Sequence, residues 1–489
     1  MGKFWKNLFT CYLFKGVNSE SEDSRRKKVD KPNKSGNINT VGDVLLRIER
    51  ENEDNRRKKE DDPNKSGNKT TVGDVLLNIE RENEKKRQTK KWLDKIQIAD
   101  ETLTINGRKI INTSPKVIIS KVLLKQHSLY ESNVFAGSLD DRPVAIRTIK
   151  KEFNLEAVKE SELLMKLDNH ENIIKFHFKF ENIEQIYIIT EFYDTSLEDY
   201  IKMDNEHKSL SAKQICLQLT KAVDFMHKQK VLYLNLNPHN IHIVGSNGMQ
   251  KIKLTNFKSA RLLTDKNTTR TADGSLLNGF IAPEQHLSHE KQFISTDIYM
   301  LGCTFYYIIT NGLKLNSIKN QNQENGLFGA LRSYQANNKS SDVILGLDIT
   351  LKMLYVLKPK RTSTAMILKH PYFWSTEELL NYIIEVSIRI EEKDMPFLRK
   401  LESRSKYVVG CDWTIELKDI YEDISNTRNY NGRSVKDLVQ AIRNRIVHTS
   451  TTRVLEVMGS SKDDLKNYWL EMFPHLIPHL YNTMNMKHN

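Results

Sequence analysis

The runs VIISKVLL (117–124), RPVAIRTI (142–149), NIIKFHFKF (172–180) and QIYIITEF (185–192) decide the fold. Each is short, apolar and rich in β-branched and aromatic residues, the signature of strands. One helical pattern, Leu155–Leu167, interrupts them. From 196 to about 374 helical periodicity dominates, and 375–489 is almost wholly helical in pattern, with no strand-length alternation. A strand-rich lobe followed by a helical lobe is an α+β arrangement.

Composition narrows the class. The chain has 489 residues, 38% of them apolar, which is ample for a core and excludes a wholly disordered or fibrous protein. The length allows two to four domains of roughly 100–200 residues. Lys+Arg total 75 against 62 Asp+Glu, a formal charge of +13 that suggests a polyanionic partner. Its distribution matters more than its total. Residues 375–489 carry 16 cations against 17 acids. Within them, Arg428, Arg433, Lys436, Arg443, Arg445 and Arg453 face Asp437 alone over 428–453. That local excess suits contact with a few phosphates and a modest salt dependence, not a long basic groove.

Cys11, Cys216, Cys303 and Cys411 are far apart and form no C-x-x-C pair, which excludes a zinc knuckle or disulfide framework and fits a reducing, cytoplasmic location. No window approaches 18 apolar residues, so no spanning helix is expected. The N-terminus lacks a small-residue cleavage site, and Lys6 breaks the myristoylation pattern. Residues 1–18 are amphipathic: Phe4, Trp5, Leu8, Phe9, Tyr12 and Leu13 share a helical stripe flanked by Lys3, Lys6 and Lys15. Two readings stand for residues 4–14, peripheral contact with a membrane and docking on protein.

Residues 19–112 form a charged linker. It holds a tandem repeat, in which 20–50 recurs as 51–81 with Val41 and Val72 in register. Each unit ends in one amphipathic helix, and two such helices cannot build a solenoid core. They either find a partner or remain a solvated linker. TVGDVLLRIER (40–50) also resembles the chain's own SVKDLVQAIRN (434–444), so docking of the repeats as decoys is a further reading.

Phosphoryl transfer by a bilobal kinase needs a glycine-rich loop, a strand Lys paired with a helix Glu, an Asp to accept the hydroxyl proton, and Asn and Asp to hold magnesium. Five places in this chain take up that order. The loop reads Leu124–Glu131, without glycine. The strand position is Arg147 in VAIR, and the helix Glu is Glu160. The catalytic loop reads Tyr233-Leu234-Asn235-Leu236-Asn237-Pro238-His239-Asn240, with Asn235 in place of the proton-accepting Asp. The metal-holding tripeptide reads Asn256-Phe257-Lys258. Scaffold motifs persist: Ala282-Pro283-Glu284, its expected ion-pair partner Arg361, and Asp297, expected to brace the catalytic loop.

Over roughly 115–374 the chain therefore resembles the eukaryotic protein kinases. The resemblance implies a bilobal kinase-like domain at 113–374 whose chemistry is lost. Arg147, Glu160, Asn240 and Asn256 are the remains of a nucleotide site. They leave ATP or ADP as an allosteric ligand, with no metal site.

HPYFWSTEELLNYIIEVSIRIE (370–391), CDWTIELKDIYEDISNTRNYNGRSVKDLVQAIRNRIVH (411–448) and MFPHLIPHLYNTM (472–484) carry a second resemblance. The chain is similar to the inositol-requiring-enzyme stress sensors and ribonuclease L, which fuse a kinase-like domain to an all-α kinase-extension nuclease (KEN) domain. The recognisable luminal, transmembrane and ankyrin modules are not seen in the sequence. The resemblance implies a KEN endoribonuclease at 375–489 with Tyr430, Arg443, Asn444 and His448 as its catalytic residues. It implies RNA as partner, cyclic-phosphate products, no required cofactor, and a homodimer or higher oligomer formed through the kinase-like domain.

The residue types suit that chemistry. An imidazole moves protons near neutral pH, a guanidinium forks onto phosphate oxygens, an amide can orient a hydroxyl, and a phenol can donate a hydrogen bond. Acid and base are not assigned between His448 and Tyr430. Val435, Leu438, Val439 and Ile442 recur at i, i+3, i+4 and i+7 and predict a buried helix face over 434–446. Ser434 and Asp437 are placed as its N-terminal cap. Two alternatives remain: a silent partner that heterodimerises with an active relative, and a residual Ser/Thr kinase modifying Thr268–Thr271.

Overall fold

The computed structural model describes residues 117–127, 132–193, 195–204, 208–245, 249–263, 279–286, 293–315, 340–355, 357–426, 428–448 and 451–485, with the helical positions 329, 331 and 334. The amphipathic segment, the repeats, loop residues 128–131 and Thr268–Thr271 lie outside the described residues.

Strands β1 (Val117–His127), β2 (Ser132–Leu139), β3 (Arg142–Lys150), β4 (Phe176–Glu181) and β5 (Gln185–Glu191) form an antiparallel sheet ordered β1-β2-β3-β5-β4. Four of them follow the apolar runs. β2, SNVFAGSL, is an addition, because its small residues mask the alternation. A Cβ on Gly137 would stand 2.3 Å from Ile146 Cδ1 and 2.6 Å from the Ile118 carbonyl, so this strand needs a bare position. The register sets Ala145 beside Ala136 and Thr190, and Arg147 beside Val134 and Ile188. Helix α1 (Asn154–Leu167) buries Ala157, Glu160, Leu163, Leu164 and Leu167.

The second lobe holds α2 (Leu197–Lys202), α3 (Ala212–Lys228), α4 (Ile294–Ile309), α5 (Ser341–Met353) and α6 (Thr364–Leu368). α3 opens on a full capping box between Ser211 and Gln214. α4 is buried on all sides from Thr296 to Ile308, as an all-round apolar helix must be. Inside it, Asp297 does the bracing expected of it. Its carboxylate accepts from the Leu234 N–H at 2.7 Å and the Tyr233 N–H at 2.9 Å, holding Leu234 at a φ of 59°. Arg361 donates to both oxygens of buried Glu284, at 2.7 and 2.9 Å, which is the expected ion pair.

Among the described residues nine α-helices follow: α7 (Thr376–Glu391), α8 (Met395–Glu402), α9 (Ser405–Val409), α10 (Trp413–Glu416), α11 (Tyr421–Ser425), α12 (Val435–Val447), α13 (Thr452–Met458), α14 (Lys462–Met472) and α15 (Leu476–Met484). The protein is thus α+β, a bilobal kinase-like fold followed by helices alone among the described residues. One apolar core runs from the second lobe into these helices. Lys213 donates to the Trp374 carbonyl at 2.8 Å, and the Trp374 ring meets Tyr382 edge-on at 4.8 Å. Among the described residues no helix is long and apolar enough to cross a membrane.

Candidate functional site

Helix α12 positions three of the four expected catalytic residues. Val435, Leu438, Val439 and Ile442 are fully buried, each contributing about 1.5–3 kcal/mol of burial. This fixes which side of the last turn faces outward. Arg443 and Asn444 lie on that turn, half-buried, and His448 is the C-cap, exposed, with its N–H bonded to the Asn444 carbonyl at 3.0 Å.

Tyr430 comes from the loop before α12. Its ring is buried beside Trp413, at 5.8 Å between centroids, and the Trp413 backbone N–H holds the Gly432 carbonyl at 2.9 Å. A Cβ on Gly432 would fall 1.6 Å from Asp412 Oδ1, so the loop closes only with glycine there. The result is a chain of polar contacts. Asn444 Nδ2 donates to Tyr430 Oη at 2.9 Å, and Arg443 Nη1 donates to Asn444 Oδ1 at 3.1 Å. Arg443 Nε is buried without a hydrogen bond. Arg428 lies over the Tyr430 ring at 5.6 Å and reaches Asp437 at 3.6 Å.

The structure brings together Tyr430, Arg443 and Asn444. His448 stands at the same helix end, and its ring hydrogen-bonds none of the three. Ser434 caps α12 by accepting from the Asp437 N–H at 3.1 Å. Asp437 does not reach back to Ser434; its carboxylate takes the Asn431 N–H at 2.8 Å. The remaining N-terminal amides of α12 go to a residue the local sequence does not reveal. Glu402, at the end of α8, accepts from Ser434 Oγ at 2.8 Å, Val435 N–H at 3.1 Å and Lys436 N–H at 2.9 Å. A carboxylate at a helix N-terminus also complements the dipole.

The kinase-like cleft contains the other expected residues. Arg147 Nη1 bonds Glu160 Oε1 at 2.5 Å, and Glu160 Oε1 accepts the Phe257 N–H at 3.1 Å. Asn256, at a φ of 58°, donates to Asn240 Oδ1 at 3.1 Å, and Asn240 donates to the Asn235 carbonyl at 3.0 Å. Asn235 Oδ1 accepts from Asn237 at 2.9 Å. Amides therefore bond one another where a kinase aims carboxylates at magnesium. No cluster of three or more potential metal ligands occurs among the described residues.

A two-lobed kinase scaffold continuing into a helical unit with a Tyr–Asn–Arg constellation defines a two-part class of protein. Family models bear this out: one described as protein kinase domain matches residues 132–373, and one described as ribonuclease 2-5A matches 379–489. The chain thus joins a protein kinase domain to a ribonuclease 2-5A domain, and it is similar to proteins named as kinase/endoribonucleases. It is 28% identical, over 80% of its length, to the "Sensor for unfolded proteins in the ER ire1" of Schizosaccharomyces pombe, covering 39% of that protein. It is 29% identical over 72% of its length to the "Serine/threonine-protein kinase/endoribonuclease ire-1" of Caenorhabditis elegans, covering 37%. Against "Serine/threonine-protein kinase/endoribonuclease IRE2" of Homo sapiens it is 27% identical over 78%, covering 42%. The chain spans about two fifths of the length of these relatives.

Proposed function

We propose that this protein is an endoribonuclease that cleaves RNA without a metal, leaving 2′,3′-cyclic phosphate ends, and that its kinase-like region has no phosphotransferase activity. The observation that carries the reading is the Arg443–Asn444–Tyr430 hydrogen-bond chain beside His448. In the reaction, the 2′-hydroxyl loses its proton to a base as its oxygen bonds to phosphorus. The bond from phosphorus to the 5′-oxygen breaks, and that oxygen takes a proton from an acid. His448 and Tyr430 divide these two roles. Arg443 stabilises the charge that builds on the phosphorane oxygens, and Asn444 holds both neighbours in place. The substrate would be accessible loops, where splayed bases can be read.

The reading of the kinase-like region rests on Asn235 and Asn256. A neutral amide supplies neither a proton acceptor nor an anionic metal ligand, and these groups act as a unit. We also propose that cleavage depends on self-association through this region and takes place in the cytoplasm. One relative is named as a sensor for unfolded proteins, and we propose a response to unfolded proteins as the setting.

The test is cleavage of a stem-loop RNA in EDTA by wild type and His448→Asn. Cyclic-phosphate products made by wild type and lost in the variant support the proposal. A wild-type dimer that cuts nothing would favour a silent partner.

A further inference from the structure

In a kinase the nucleotide lies between the strand cation, the helix Glu and the metal-holding tripeptide. Here that space is lined by Val134, Ala145, Arg147, Glu160, Thr190 and Asn256, together with Tyr193. The free volume left among them is about 30 Å³. Small-molecule sites run to about 300–1,000 Å³. A space of this size takes ordered water, not a nucleotide.

Tyr193 follows β5 by two residues, where the chain crosses from one lobe to the other. Its side chain turns inward and is only 9% exposed. The ring rests on His242 at 4.2 Å between centroids. His242 is itself held, with Nδ1 at 3.2 Å from Thr255 Oγ1, which in turn bonds the Asn240 carbonyl at 3.2 Å. At the other end the phenol lies within the fields of Arg147 and Glu160. Burial pushes the phenol up to about 12, so it enters the cleft uncharged and carries no ionic desolvation cost.

We propose that Tyr193 is a built-in ligand: its side chain fills the nucleotide cleft and replaces ATP or ADP as the group that holds the two lobes together. A tethered ring has no translational freedom to lose, so it excludes a free nucleotide competing for the same volume. Glu160 takes both Arg147 Nη1 and the Phe257 N–H beside it, so the pair is set without a phosphate, with Arg147 Nε left without a hydrogen bond. The kinase-like region then serves as a fixed scaffold for the helices after it, not as a nucleotide sensor.

The test is titration of the full chain with ADP and, as an uncharged probe, adenosine, in EDTA and again with magnesium. Wild type and Tyr193→Phe are expected to show no saturable binding at millimolar ligand. Tyr193→Ala is expected to bind at least about tenfold more tightly than wild type. Equal affinity in wild type and Tyr193→Ala, whether both bind or neither does, overturns the proposal. A second probe, p-cresol, has the shape of the lost side chain. It should raise the thermal midpoint of Tyr193→Ala and leave wild type unmoved, and no rise also overturns the proposal. Tyr193→Leu takes the place of Tyr193→Ala if the latter does not fold. None of these readouts uses RNA, so they can fail while the ribonuclease reading stands, and the reverse.

Discussion

Asn482, on the last helix of the nuclease-like region, donates its side-chain amide to Asp348 Oδ1 at 3.0 Å. Asp348 belongs to α5 of the kinase-like region, and its other oxygen is shared by His370 at 3.0 Å and Lys352 at 2.8 Å. Lys352 also stands over the Tyr481 ring at 4.9 Å. One half-buried carboxylate thus clamps two regions that the sequence separates by 134 positions.

That clamp makes stability sensitive to acid. Burial pushes the Asp348 carboxyl up, but the His370 hydrogen bond and the charges of Lys352 and His370 outweigh it and hold it at about 2, against 3.8. Burial lowers His370 below its ordinary 6.5, with the Asp348 bond opposing. Both groups take up protons more readily unfolded than folded, so both contributions are lost as pH falls. The His370 part fades below 6.5 and the Asp348 part, about 2 kcal/mol, between 3.8 and about 2. Urea midpoints should fall on acidification through these windows, and Asp348→Asn should lose the lower step. A midpoint indifferent to pH would count against the clamp.

Asn444→Ala releases both Tyr430 and Arg443. Misplacement of catalytic groups by about 1 Å costs on the order of 10²-fold, so RNA cleavage should fall at least that far. Tyr430→Phe removes the acceptor of the Asn444 amide and should also slow cleavage, with a stability loss of about 1 kcal/mol. Single-turnover rates and urea melts separate the two effects. Unchanged rates in both variants would remove Tyr430 and Asn444 from the site.

Glu402→Gln keeps the size of the side chain that caps α12, but removes its charge and turns one of its two accepting oxygens into a donor group. Stability should fall by about 1 kcal/mol, and Glu402→Ala should cost more, since three donors then lose their acceptor. Equilibrium unfolding checks this. Identical stability in all three proteins would mean that the amides find water at no cost.

Gly432→Ala brings a methyl group onto Asp412, which caps α10 through the Thr414 N–H at 3.0 Å. Either the cap or the Tyr430 loop must move, at about 1–3 kcal/mol. Cleavage should drop together with the thermal midpoint, and a variant as stable and active as wild type would show that the loop has slack.

The sequence by itself determined what local rules can carry. The buried face of α12 follows from the spacing of Val435, Leu438, Val439 and Ile442, because a helix has one period and these residues share it. The Glu284–Arg361 pair and the Asp297 brace were legible because the order of motifs already names their partners. The grouping of Tyr430, Arg443 and Asn444 was expected from resemblance, and their hydrogen bonds were not. Strand β2 escaped because a strand of small residues is defined by what its neighbours press against it. Tertiary structure alone decided that Glu402, 33 positions before Val435, caps its helix, that Asp348 clamps Asn482, and that Tyr193 turns into the cleft. The physical reason is common to all three. A carboxylate or phenol has no periodicity to read, and its role is set by which distant donors, cations and rings the packed core carries to within 3–5 Å of it.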